Sequence, residues 1–422
     1  MKIQTANHGL CGRVTVPGDK SISHRGVMFG ALSDGVTKIH GFLNGADCLS
    51  TIDCFRKMGI AIEIDGTEVT VHGRGLRGLK APTEILYTGN SGTTTRLLCG
   101  ILAGQSFTAE LDGDATIRKR PMGRIALPLK AMGAHMEGEL CPLRVGGAPL
   151  SGIEYTLPVA SAQLKSAIIL AALYAEGQTV ITEKEKSRDH TERMLRYMGA
   201  EIESDGNVIT VQPAKELKAV EFDVPADISS AAFFMVAAAI VPNSEITVCN
   251  VGVNPTRTGI LDVLCEMGAD ITVANERMWG GEPVADITVR SSELSGVRIG
   301  GEVIPRLIDE LPVLAVAAAF AKGTTVICDA QELKVKETNR IAAVTAELLR
   351  AGVDIEETED GMIIRGGKPV HGAAFETYHD HRMAMSMAVL ALAAEGESEI
   401  LNPDVVDISF PNFYELLNEV RR

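Results

Sequence analysis

The sequence predicts an α/β fold of two similar domains, each built from three copies of one repeat. Three observations predict it. A helix end, a glycine and an alternating strand recur together; a polar loop followed by an apolar helix recurs upstream of them; and the last copy lacks its closing strand. The first pattern reads KMGIAIEI, AMGAHMEG, YMGAEIES, EMGADITV and RAGVDIEE, with its glycines at 59, 133, 199, 268 and 352. Each is the end of an amphipathic helix, a glycine just past it, then a strand. Spacings of 74, 66, 69 and 84 residues are too long for a solenoid and suit a duplicated α/β unit with variable loops.

Taken in order, a short strand over residues 12–16 ends in a Pro-Gly turn, and a helix opens within PGDKSISHR, residues 17–25. Ser21 or Ser23 is placed to cap it, with Asp19 just upstream. Polar loops recur as Asn90-Ser91-Gly92-Thr93, Ser161-Ala162-Gln163, Asp227-Ile228-Ser229-Ser230, Asp309-Glu310 and Asp380-His381-Arg382, nearly every one placed to cap the helix that follows. The helices after them, such as 167–175 and 383–394, are apolar almost all round and should be buried. The amphipathic helices should cover them. The sixth repeat runs out after a helix at 412–420, and a spare strand at residues 2–5 can complete it. One domain then spans 20–225, and the other spans 226–422 plus the arm 1–19.

Composition excludes several classes. With 45% apolar and 23% charged residues the chain is globular. Its most apolar stretches, 231–241 and 311–321, are too short to span a bilayer and read as buried helices. The first residues lack a signal-peptide apolar region, so a cytoplasmic protein is expected. The eight cysteines include no CxxC pair and sit mostly in apolar segments, as buried free thiols would. A net charge of −15 and 4% aromatic residues oppose a nucleic-acid partner. His379 and His381 flank Asp380, but no third group at useful spacing suggests a metal. His24, in the first turn of its helix, reads as structural.

Against that acidic background, cations gather at the loops: Lys20, Arg25, Arg96, Arg120, Arg124, Lys165, Arg188, Lys336, Arg340 and Arg382. Helix starts already favour anions through unpaired N–H groups, and hydrogen bonds to charged groups add about 1.5–3 kcal/mol each. A ligand set rich in phosphate and carboxylate follows. Any one arginine alone would read as a solvated surface charge; all of them at equivalent loops would not.

The motifs PGDKSISHR, GNSGTTTR (89–96), RPM (120–122), SAQLKSA (161–167), SRDHTERML (187–195), DELPVLAVAA (309–318), KETNR (336–340) and DHRMAM (380–385) resemble, in order, those of the EPSP synthase (3-phosphoshikimate 1-carboxyvinyltransferase) family of enolpyruvyl transferases. The resemblance spans essentially the whole chain. It implies two domains of three βαβαββ-type repeats around inward-facing helices, an inside-out α/β barrel, with the active site in the interdomain cleft. It implies transfer of an enolpyruvyl group from phosphoenolpyruvate to the 5-hydroxyl of shikimate 3-phosphate by addition and elimination. No metal or cofactor is implied, and the expected partners are those two small molecules, with no membrane and a monomeric chain.

By the same matching Asp309, Lys20 and Glu337 are the catalytic residues, with Asp309 as base on the hydroxyl. Lys20, Ser21, Arg25, Ser161, Ala162, Gln163, Ser187, Asp309 and Lys336 would hold shikimate 3-phosphate. Lys20, Gly92, Arg120, Gln163, Arg340 and Arg382 would hold phosphoenolpyruvate. Glyphosate, a phosphonate with a carboxylate, would occupy the phosphoenolpyruvate site and is longer than that substrate. The chain departs from the usual pattern at Asn339, where an Asp is common, so a carboxylate to position Arg340 is missing there, at Ala162, where many members have a second serine, and at 407–411, which lacks a common lysine. Loop 112–121 lacks the cysteine of the sister transferase that acts on UDP-N-acetylglucosamine, which weighs against that acceptor. A non-catalytic anion-binding relative is opposed by the retained acid–base residues.

Overall fold

The computed structural model describes residues 1–421. It divides into two compact units. The N unit comprises Gly18–Val224 with Met278–Glu282, and the C unit comprises Met1–Pro17, Pro225–Arg277 and Pro283–Arg422. The small piece Met278–Glu282 is a hairpin tip that the repeat pattern did not anticipate in the N unit.

Three four-stranded sheets of the N unit share one topology. In the first, Glu221–Asp223 lies parallel to Asp34–His40, which pairs antiparallel with Glu68–Arg74 and through it with Ala61–Asp65. Leu86–Tyr87, Thr108–Asp112, Leu143–Gly146 and His135–Glu137 repeat that order. So do Glu154–Thr156, Thr179–Thr182, Val208–Val211 and Ile202–Asp205. Helix α1 (Lys20–Leu32) leads into the first sheet, and in the other two the crossover that a parallel neighbour needs is made by α2 (Gly92–Ala103) and α3 (Ala162–Ala172). The last strand of the N unit, Glu221–Asp223, thus completes its first sheet.

Helices α1, α2 and α3 are buried along nearly their whole length, as their composition requires. A Cβ on Gly100 would stand 2.2 Å from the Ala167 carbonyl oxygen, so the lack of a side chain lets α2 and α3 touch. Amphipathic helices Ala46–Lys57, Gly123–Ala131 and His190–Tyr197 each bury one face. The glycines after them have φ of 85°, 108° and 94°, the left-handed turn that ends a helix and starts a strand.

In the C unit the apolar helices are α4 (Ile228–Ile240), α5 (Leu311–Phe320) and α6 (His381–Ala393), each packed on the other two. Cys11–Val14 is the parallel partner of Glu245–Gly252, and Arg298–Ile299 that of Gly323–Ile327. The third sheet has three strands: Ser398–Ile400 lies between parallel Ala374–Phe375 and antiparallel Lys2–Ile3. The spare N-terminal strand therefore completes the sixth repeat. Four of the scarce aromatics cluster in the C unit: Phe233, Phe234, Phe410 and Phe413 pack with ring centroids 5.4–6.0 Å apart, pairs worth about 0.5–1.5 kcal/mol each beyond area burial.

Some sequence expectations are corrected. Helix α1 begins at Lys20 and its cap is Asp19, whose Oδ1 accepts from the Ile22 N–H at 2.9 Å; Ser21 and Ser23 lie inside the helix. Helices α3, α4 and α6 start two to five residues earlier than their apolar runs suggested. Their first turns carry polar residues, which an apolar pattern cannot see. All eight cysteines are free, but only four are buried, and Cys11 and Cys265 are exposed. No helix among the described residues is long and apolar enough to cross a membrane.

Candidate active site

The N unit gathers its polar loops at the starts of α1, α2 and α3. Side chains lace these starts together: His24 Nδ1 lies 2.7 Å from Thr51 Oγ1, Thr51 is 2.7 Å from Thr94 Oγ1, and Thr94 donates to Ser91 Oγ at 2.7 Å. Arg25 donates to Thr191 Oγ1 at 2.7 Å, to Ser166 Oγ at 2.9 Å and to the Ser21 carbonyl at 2.9 Å. Burial pushes the Arg25 guanidinium down to about 10, against the nearby Glu192 and Asp19 charges, so it remains a cation at neutral pH. Burial likewise pushes His24 down to about 3, which makes it a neutral structural residue. Lys20 Nζ stands 3.3 Å from Asp47 Oδ2, a partner that the sequence did not reveal.

Gly92 is the first residue of α2, and Ser91 caps the helix. A Cβ built on Gly92 would lie 3.0 Å from Arg120 Nη1 and 3.3 Å from Arg96 Nη1. Two guanidiniums thus converge on a helix start whose N–H groups favour an anion. Arg96 also donates to Gln163 Oε1, and Gln163 Nε2 donates to Thr93 Oγ1 at 3.0 Å, joining the starts of α2 and α3. Ser161 caps α3 and Ala162 opens it. Ser187 is held by Glu183, which accepts from its N–H at 3.1 Å and from its hydroxyl. Behind it Lys165, wholly buried, lies 3.0 Å from Glu183 and 2.8 Å from Glu192. Burial opposes its charge, but the two glutamates outweigh that and raise its pKa.

In the C unit the expected residues form one ionic cluster. Asp309 Oδ1 lies 3.3 Å from Lys336 Nζ and 3.3 Å from Arg340 Nη1. Arg340 donates from Nε to Asp380 Oδ2 at 2.8 Å, and from Nη2 to Asp380 Oδ1 at 3.2 Å and Glu337 Oε2 at 2.6 Å. Burial disfavours that guanidinium's charge, but Asp380 and Glu337 more than compensate and raise its pKa. Asp380, itself buried, is held below the usual carboxylate range by Arg340 and His381. Arg382 Nη1 donates to the Asp309 carbonyl at 3.0 Å, and its N–H to Asp380 Oδ1 at 2.9 Å.

Two readings change here. Asp309 is not a helix cap: the residue before α5 is Glu310, and it makes no capping bond. Asn339, suspected of depriving Arg340 of a carboxylate, instead caps helix Arg340–Arg350 by accepting from the Ala342 N–H at 3.3 Å. Arg340 has three carboxylates without it. Sequence reading missed Asp380 as the main partner of Arg340. The signal was its place beside Arg382 in the DHR loop, where it looked like a cap; it caps α6 and binds Arg340 at once. Among the described residues no three His, Cys, Asp or Glu side chains are grouped to hold a metal ion.

The architecture is shared with solved enolpyruvyl transferases. The family model described as EPSP synthase (3-phosphoshikimate 1-carboxyvinyltransferase) matches residues 5–417. A 3-phosphoshikimate 1-carboxyvinyltransferase of Geobacillus kaustophilus is 56% identical over 420 residues, covering 98% of each chain. One from Desulforamulus reducens is 54% identical over 416 residues, covering 97% of each. The solved EPSP synthase of Acinetobacter baumannii superposes with a TM-score of 0.90 at 48% identity, covering 99% of this chain and 97% of that one. The chain belongs to the EPSP synthase family.

Proposed function

We propose that the protein transfers the enolpyruvyl group of phosphoenolpyruvate to the 5-hydroxyl of shikimate 3-phosphate, releasing phosphate, on the route through chorismate to the aromatic amino acids. The observation that carries this is the Asp309 carboxylate flanked by Lys336 and Arg340, with Glu337 on the same guanidinium. Lys336 and Arg340 fix the direction of Asp309, which takes the proton of the attacking hydroxyl. The hydroxyl oxygen bonds to C2 of phosphoenolpyruvate while the methylene C3 gains a proton, giving a tetrahedral intermediate. Loss of a C3 proton with departure of phosphate restores the enol ether. Lys20 and Glu337 handle the C3 protons. Such proton transfer contributes typically 10²–10⁴-fold to rate.

The cations supply the electrostatic part. Arg120, Arg340, Arg382 and the α2 start at Gly92 hold phosphoenolpyruvate and stabilise charge on the departing phosphate. Ser21, Arg25, Ser161, Ala162, Gln163, Ser187 and Lys336 hold shikimate 3-phosphate, with Lys20 and Gln163 serving both. Arginines suit this because a guanidinium can grip a carboxylate or phosphate with two parallel bonds. We also read each unit as three βαβαββ repeats wrapped round its buried helices as an inside-out barrel, in a monomeric cytoplasmic enzyme.

The test is phosphate release from phosphoenolpyruvate with shikimate 3-phosphate or UDP-N-acetylglucosamine as acceptor. Turnover is expected only with the first; turnover only with the nucleotide sugar overturns the assignment. Asp309→Asn should lower kcat about 10²–10⁴-fold, and a kcat within threefold would remove Asp309 from the role of base.

A further inference from the structure

We infer that Glu310 and Arg257 are positioning residues that set Arg382 for phosphoenolpyruvate, an inference that rests on the reading of Arg382 given above. Glu310 occupies the position just before α5, yet makes no capping bond there. Its side chain is fully buried instead. Oε1 accepts a hydrogen bond from Ser229 Oγ and lies 3.9 Å from Arg382 Nη1 and 4.0 Å from Arg257 Nη2. Oε2 makes no hydrogen bond in the described structure. A buried carboxylate in that position is costly unless cations compensate it, and the cations in range are these two arginines.

Arg257 is almost as buried and is tied down on its other side. Its Nη2 donates to Ser229 Oγ at 2.7 Å and to Asp227 Oδ1 at 3.3 Å. It sits in the loop Asn254-Pro255-Thr256-Arg257, where Asn254 Oδ1 accepts from the Thr256 N–H at 2.9 Å. A chain of alternating charge, Asp227, Arg257, Glu310 and Arg382, therefore runs across the starts of α4, α5 and α6. Asp227 and Asp380 cap their helices. Glu310 gives up its capping bond and faces the arginines.

That exchange has a functional sense. Arg382 is a long side chain, and its rotamer freedom must be lost when an anion binds. Glu310 and the Asp309 carbonyl, both at the start of α5, hold one edge of its guanidinium in advance, so less freedom is lost on binding. Arg257 holds Glu310 in place rather than binding ligand itself.

Steady-state kinetics of Glu310→Gln test this, because the amide keeps volume and the Ser229 bond but removes the charge. KM for phosphoenolpyruvate should rise about 10-fold, with KM for shikimate 3-phosphate changed less than twofold. Arg257→Lys should raise the same KM less, about threefold, and serves if Glu310→Gln fails to fold. In an Arg382→Lys background, Glu310→Gln should add no further increase. Equal changes in both KM values, or independent effects of Glu310→Gln and Arg382→Lys, overturn the inference. Arg382→Lys raising the phosphoenolpyruvate KM while Glu310→Gln and Arg257→Lys do not overturns this inference alone. Arg382→Lys leaving that KM unchanged overturns the reading of Arg382 and this inference with it.

Discussion

Gly92→Ala places a methyl group where the first turn of α2 meets two guanidiniums. Gly92 is not among the residues with positive φ, so alanine fits the backbone, and a stability cost from conformation is not expected. A residue in a helix gains up to about 0.5–1 kcal/mol on going from glycine to alanine, so thermal stability should hold or rise slightly. The new Cβ would stand 3.0 Å from Arg120 Nη1 and 3.3 Å from Arg96 Nη1. Both are ends of flexible side chains and can yield a few tenths of an ångström. Displacing Arg120 slightly forfeits part of a charge-assisted bond worth about 1.5–3 kcal/mol. A loss of roughly 0.5–1 kcal/mol raises the phosphoenolpyruvate KM about two- to fivefold. Glyphosate, being longer, must also share space with the methyl. Overpacking costs typically 1–3 kcal/mol, so its inhibition constant should rise a further 5- to 150-fold or so. Both constants, with thermal unfolding as control, decide the matter. Equal weakening of the two ligands refutes the steric argument, and a collapse of stability refutes the backbone argument.

The acid limb of stability should depend on His24. With a folded pKa pushed down to about 3 from 6.5, the unfolded chain binds a proton that the folded one refuses, so stability falls as pH drops from about 6.5 toward 3, by about 1.4 kcal/mol per unit. His24→Gln should flatten the Tm-against-pH curve between pH 4 and 6.5, and an unchanged slope assigns the acid limb elsewhere. Gly100→Ala should lower stability by about 1–3 kcal/mol, because its Cβ meets a backbone oxygen at 2.2 Å; denaturant unfolding with no shift in midpoint would show that α2 and α3 can part freely. Asn339→Asp should leave kcat within twofold, since Arg340 is already held by Asp380, Glu337 and Asp309. A large gain in kcat would mean that Asn339 limits the arginine after all.

The repeat was legible because it is written locally. A glycine past each amphipathic helix, a polar loop before each apolar one and alternating strands are patterns within a few residues, governed by backbone sterics and capping. The glycines at 59, 133, 199, 268 and 352 all take the left-handed turn that their context implied. The grouped cations were legible for the same reason, each lying close to a helix start, just before it or in its first turns. Helix starts were less so: Gln163 and Lys165 are polar yet lie in α3, because its first turn binds side chains of α2 and the Glu183 loop rather than an apolar core.

What only tertiary structure decided is which charge answers which. Arg340 and Asp380 are 40 residues apart, Lys20 and Asp47 are 27, and Ser229 and Glu310 are 81. No local rule links such pairs, since their distance is fixed by how whole repeats pack. Asp380 read as a cap and proved also to be the anchor of an arginine; Glu310 read as part of a capping loop and proved to be a buried anion. The sequence by itself determined which helices form and what kind of ligand their starts would attract. Packing decided the partners, because a buried charge takes the nearest counter-charge in space, wherever the chain has left it.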